Sequence, residues 1–176
     1  MESIHFALAL SLVPGIGPVR ARQIMDHYPS GQAWIDETGP RTPDPLEWAR
    51  HVQEAARILE KQEQSSIQSL LYTDPRYPQR LLHIPDAPCL LFVKGVAEFN
   101  TSHALGVVGT RDATAYGLQI TEQWVASLAK YGCAIVSGLA RGIDRAAHKS
   151  ALRGSLPTWA VLAHGLHCAQ PASNRH

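Results

Sequence analysis

The sequence contains three cysteines, Cys89, Cys133 and Cys168, and no CxxC pair among them. An odd count without paired spacing argues against a disulfide framework and against a zinc ribbon. Cys89 and Cys133 lie inside apolar runs and read as core thiols, which suits a reducing cytoplasm. No apolar run approaches the roughly 20 residues that a membrane span requires. The apolar opening Phe6 to Val13 is cut by Pro14-Gly15, and its lead-in carries Glu2 with no Lys or Arg, so an export signal is not expected. Low-complexity tracts are missing, as are the GxGxxG dinucleotide fingerprint and the GK[ST] ending of a P-loop. Aromatics make up only 7%, and the four tryptophans are scattered, which fits core packing better than a base-stacking platform. Neither sign of charge dominates, the net charge being +1.

What is present is a 176-residue chain, 45% hydrophobic and 18% charged, enough for one ordinary domain or two small ones. The charge is unevenly placed. Residues 1–100 hold 9 Lys+Arg against 12 Asp+Glu, net −3, and residues 101–176 hold 7 against 3, net +4. Residues 4–70 read as helical, with a Leu8, Leu12, Val13 stripe, a Pro14 to Pro18 turn, and a resumed helix from Val19 to Tyr28. After the proline-rich break at Thr38 to Pro45, the spacing of Trp48, Val52, Ala55, Ala56, Leu59 and Ile67 predicts a helix over about 46–71. Asp74-Pro75-Arg76-Tyr77-Pro78 marks a boundary, and Cys89 to Lys94 reads as a strand.

From residue 104 the period changes to strand, helix, strand, helix, strand. Ala104 to Val108, Cys133 to Val136 and Thr158 to Ala163 are the apolar runs, with helices over Tyr116–Tyr131 and Ile143–Arg153 between them. Such units form a parallel sheet, of three strands or of four with the 89–94 run, whose loops emerge at the carboxyl edge. Two glycine-rich turns therefore line one crevice: Gly109-Thr110-Arg111, and Ser137-Gly138-Leu139-Ala140-Arg141-Gly142-Ile143-Asp144. Loop amides, the Thr110 and Thr114 hydroxyls and the Arg111 guanidinium can together hold a phosphate. Arg141 and Lys149 are peripheral cations of the same site.

Three other groupings carry weaker chemistry. Gly15-Ile16-Gly17 between two helices, with Arg20 and Arg22 following, fits a helix-hairpin-helix that presents amides to a DNA phosphate, and fits equally a tight turn in a protein-interaction domain. Ser137, Asp144 and His148 hint at a hydrolase triad, but Ser137 lacks the GxSxG elbow, and Asp144 with His148 at i,i+4 fits a helix brace. His164, His167 and Cys168 match no common zinc spacing, so no metal is assigned.

Several stretches together resemble the DNA-processing protein A family (DprA, also called Smf). They are Tyr77 to Leu82, Ile84 to Pro88, Phe92 to Gly95, Val107 to Arg111, Tyr116-Gly117, Ser137 to Asp144, Ala147-His148 and Ala151-Leu152. The ordered series covers about residues 77–165, and the hairpin at 12–24 resembles the family's N-terminal sterile-alpha-motif-like domain. The resemblance implies an α/β fold: a partial Rossmann-like parallel sheet over 73–176, preceded by a small helical SAM-like or helix-hairpin-helix domain over 1–72. It also implies a non-catalytic, cytoplasmic protein that binds single-stranded DNA, dimerises and loads the recombinase RecA in natural transformation, without a cofactor. The family's pocket arginine falls on Arg111, and its second loop on Ser137, Gly138, Ala140, Gly142, Ile143 and Asp144. The third loop departs from the family pattern, which reads Gly-Leu-Asp, then Tyr-Pro and Asn. Here it is Gly165-Leu166-His167, then Gln170-Pro171 and Asn174. The family's later strand-helix units and winged helix have no counterpart, so the Rossmann-like domain is expected to be incomplete at its C-terminus.

Two other readings compete. One is a nucleotide-processing hydrolase like the lysine-decarboxylase-like phosphoribohydrolases, though their Pro-Gly-Gly-x-Gly-Thr loop does not occur here. The other is an interaction module whose helical domain binds protein.

Overall fold

The computed structural model describes residues 2–38, 43–96 and 98–167. The chain forms two compact units, Met1–Gly95 and Val96–His176. The first opens with α1 (Glu2–Leu12), in which Phe6 to Leu10 are all buried, so the middle of the helix is core on every side. Next come α2 (Pro18–His27) and α3 (Gly31–Thr38). In α4 (Pro45–Gln64), Asp44 caps the start by accepting the Leu46 amide at 2.8 Å, and Pro45 supplies the preset first turn. Trp48 of α4 meets Trp34 and Phe6 edge-to-face at centroid distances of 5.4 and 6.1 Å, which centres this core.

The helix expected over 46–71 ends at Gln64. Ser66 turns the chain with φ +55°, and Ile67–Leu71 is a strand, β1, paired antiparallel with β2 (Leu90–Lys94). Ile67 and Leu70 are buried, so they fill apolar positions that a longer helix would also have filled. Three apart, the two residues share a face of a helix but lie on opposite faces of a strand, so the spacing favours helix and the tertiary pairing overrides it. The 89–94 run is therefore no fourth strand of the parallel sheet. Leu71, Leu90 and Phe92 pack on the helical core, and Tyr77, fully buried between the strands in sequence, donates its hydroxyl to the Pro88 carbonyl at 2.7 Å.

The second unit alternates β3 (Ala104–Gly106), α5 (Ala115–Ser127), β4 (Ala134–Ser137), α6 (Ile143–Arg153) and β5 (Thr158–Ala160). Its three strands are parallel in the order β3-β4-β5, with Leu105 opposite Ile135 and Val136 opposite Trp159. A sheet that grows strand by strand in one direction puts both right-handed crossover helices on the same face. Ile135 of the central strand packs there with Val125 of α5 and Ala147 and Ala151 of α6. The alanines let α6 approach α5 closely, and the Ser150 hydroxyl donates across to the Glu122 carbonyl at 2.9 Å. On the opposite face, Phe99 covers Trp159 with ring centroids 5.2 Å apart. The architecture is Rossmann-like α/β.

Candidate nucleic-acid interface

Parallel β3, β4 and β5 deliver three loops to one sheet edge. Beyond the strands proper, the Val107 amide donates to Val136 and the Val161 amide to Ser137, each at 2.9 Å, which fixes where each loop departs. Ser137 ends β4 with its hydroxyl donating to the Val107 carbonyl at 2.6 Å, tying the roots of the first two loops together.

Above that tie the two loops interlock through glycine. A Cβ on Gly109 would lie 2.6 Å from the Ile143 side chain, so the first loop lies flat on the start of α6. Gly142 has φ +84°, and a Cβ there would lie 2.2 Å from the Thr110 carbonyl oxygen and 2.6 Å from that of Arg111. Only glycine meets both demands. The Thr110 carbonyl accepts the Ile143 amide at 3.2 Å, and Asp112 and Arg141 form an ion pair across the loops at 2.9 Å. The first loop then enters α5 through Thr114, whose hydroxyl accepts the Gly117 amide at 3.1 Å.

These contacts sort the expected site residues. Gly109, Thr110, Arg111 and Gly138 are exposed on the loops, and Arg111 makes no ion pair among the described residues. Arg141 carries the ion pair to Asp112, and Lys149 is exposed on α6. Ser137 and Asp144 lie beneath the loops, 4% and 7% exposed, and work inward: Asp144 accepts the Ala140 amide at 3.4 Å and fills the space beside Gly138. His148 is buried one turn further along α6. The Thr158 hydroxyl donates to the Ile135 carbonyl at 3.0 Å, so at 2.7 Å from His148 Nδ1 it can only accept, and the proton sits on Nδ1. Burial pushes the His148 pKa down, with the Asp144 charge and the Ser137 backbone opposing it. Ser137, Asp144 and His148 thus gather under the loops, each bonded to the frame. The Ser137 hydroxyl is spent on Val107, not held by the imidazole.

The third loop starts at Val161, with His164 and His167 exposed; Cys168, Gln170, Pro171 and Asn174 lie outside the described residues. Gly15, with φ +80°, and Gly17 form the turn into α2 in the first unit, both open to solvent. Arg20 is exposed there, whereas the Arg22 guanidinium lies over the Tyr72 ring, 4.9 Å from its centroid. Sequence reasoning passed over Ile143 as the platform for Gly109, Thr158 as the partner of His148, and Asp112 as the partner of Arg141. Only Asp112 left a trace, an acid next to the arginine of an expected anion loop.

The family model for DNA recombination-mediator protein A matches residues 68–176. The chain is 34% identical to Protein Smf of Synechocystis sp., across 96% of this chain and 46% of that protein. It is also 34% identical to DNA processing protein DprA of Bacillus subtilis, across 67% of this chain and 40% of that protein. It therefore spans less than half the length of these curated relatives. Among solved structures it is similar to DprA from Streptococcus pneumoniae, with a TM-score of 0.72 and 26% identity over 99% of this chain and 62% of that one. It is also similar to DNA processing protein A from Helicobacter pylori, a structure concerned with that protein's single-stranded DNA binding mode. There the TM-score is 0.54 and the identity 29%, over 61% of this chain and 47% of that one. With a family model that covers well over half of its residues, the chain belongs to the DNA recombination-mediator protein A family, known as DprA or Smf.

Proposed function

We propose that this chain binds single-stranded DNA through its sugar-phosphate backbone, as a non-catalytic DNA-processing protein of recombination. The observation that carries the reading is the pair of interlocked loops with Arg111 exposed and uncommitted at their surface. An unpaired guanidinium beside exposed loop backbone offers bidentate bonds to one phosphate, and Lys149 adds charge along the same chain half. Gly109, Thr110, Gly138 and Arg141 complete the contact surface, while Ser137, Gly142 and Asp144 hold its shape. Gly15, Gly17 and Arg20 are a secondary DNA contact, to which Arg22 contributes less because it rests on Tyr72. The Helicobacter pylori relative, described for its single-stranded DNA binding mode, supports the choice of ligand.

Backbone contacts read no sequence and release counterions, so binding weakens as salt rises. Fluorescence anisotropy with labelled oligothymidylate across a salt series tests this. Arg111→Ala is expected to weaken binding about tenfold and to flatten the salt slope by about one ion. Equal affinity of variant and wild type would remove the site as drawn. The reading extends to loading of RecA and to a homodimer as the working assembly in natural transformation. Strand exchange by RecA on DNA coated with single-strand binding protein, with and without this chain, tests the first, and sedimentation tests the second.

A further inference from the structure

Arg141 is the second arginine of the loop pair, and it is not available as it stands. Its guanidinium lies 2.9 Å from the Asp112 carboxylate, reaching from the second loop to the first. Both side chains face water, at 64% and 81% exposure, so the pair sits on the surface that a phosphate chain would touch. The Asp112 backbone is held in place: its amide bonds the Thr110 hydroxyl at 3.3 Å, and the Thr110 carbonyl is fixed to Ile143. The loop backbone at Asp112 is therefore fixed, and the exposed carboxylate is positioned by its pairing with Arg141.

We propose that Asp112 is an internal counter-ion of the phosphate site, which occupies Arg141 until a DNA phosphate displaces it. The inference rests on the single-stranded DNA reading above and adds to it a residue that sets affinity. A solvent-exposed ion pair is worth little on its own, so exchanging carboxylate for phosphate costs the protein little. The retained carboxylate opposes every anion that approaches, and a phosphate with strong local partners tolerates this better than a weakly held one. Affinity is thereby lowered for every anion, and only chains that engage Arg111 and Arg141 together retain enough of it to stay bound. The pair also mutes the salt response, because the retained carboxylate offsets the charge of Arg141 and fewer cations leave the DNA on binding.

The test measures oligothymidylate anisotropy over a salt series for wild type, Asp112→Asn, Arg141→Ala, the double variant and Arg111→Ala, with thermal melts confirming that each is folded. Asp112→Asn is expected to bind several-fold more tightly at low salt, with a slope steeper by about one ion. Most of that gain should vanish in the Arg141→Ala background, since the arginine that Asp112 withholds is then gone. Unchanged or weaker binding by Asp112→Asn, with Arg111→Ala still impaired, overturns the counter-ion role and makes the pair a staple between loops. A full gain that persists without Arg141 also overturns it, because Asp112 would then act only by general repulsion. Wild-type affinity in Arg111→Ala removes the underlying reading, and this proposal falls with it.

Discussion

Gly142 and Gly117 separate two meanings of glycine in one short region. Gly142 combines a left-handed φ of +84° with the Thr110 carbonyl oxygen 2.2 Å from where a Cβ would be. Gly117 sits inside α5, where a Cβ would meet the Thr114 hydroxyl at 3.4 Å and the Ile143 side chain at 3.7 Å, both ordinary or nearly ordinary contacts. Gly142→Ala must therefore either strain the backbone or push the loops apart, at a cost of about 2–4 kcal/mol. Gly117→Ala should stay within about 1 kcal/mol of wild type, because helix propensity offsets the slight crowding. Urea unfolding of both variants checks the contrast. Oligothymidylate affinity should fall in Gly142→Ala even at temperatures where it remains folded. Gly109 and Gly142 were legible in the sequence as loop glycines. Their reason was not legible, since it lies in contacts between residues more than 30 positions apart in the chain.

At the scale of elements, α6 is bolted to β5 by a buried imidazole. His148 donates to Thr158, Thr158 donates to Ile135, and burial holds the His148 pKa below the ordinary histidine value of 6.5. The sign follows from proton counting. As pH falls below about 6.5, the unfolded chain takes up a proton that the folded imidazole refuses, so stability is lost toward acid and is fully present above that value. Thermal melts from pH 8 to pH 5 should show a decline that is shallower in His148→Gln, the difference isolating this group from the other histidines. Thr158→Val should cost about 1–3 kcal/mol at neutral pH, because it strands the Nδ1 proton in a dry site. A melt of Thr158→Val unchanged from wild type would sink the tautomer assigned here. The amphipathic spacing of α6 and the apolar β4 run were legible because each has a single consistent period. The 64–71 boundary was not. The i,i+3 spacing of Ile67 and Leu70 fits a helix, and what ends α4 is the φ +55° turn at Ser66 followed by pairing with β2, which local sequence does not encode.

Across the whole molecule the relevant quantity is where the charge lies. Residues 1–100 carry net −3 and residues 101–176 net +4, so the half holding the interlocked loops is the half that attracts a polyanion. The acidic excess includes α4, with Glu47, Glu54, Glu60 and Glu63 along one helix, though Arg50, Arg57 and Lys61 share it. This asymmetry, the loop positions and Arg111 were all legible in the sequence. The Asp112 pairing was not, because charge counting adds the loop acid and the loop arginine without knowing that they touch. The partition predicts a footprint. Ultraviolet crosslinking to oligothymidylate, followed by peptide mapping, should place adducts in peptides spanning 107–116 and 138–149, with none from α4. Adducts should fall away together as salt rises, since they share one electrostatic origin. Adducts in the 15–22 peptide that vanish in Arg20→Ala would make the hairpin a second contact on the same strand. If adducts instead concentrate on α4, the charge argument fails at the scale where it was made, whatever the behaviour of Arg111.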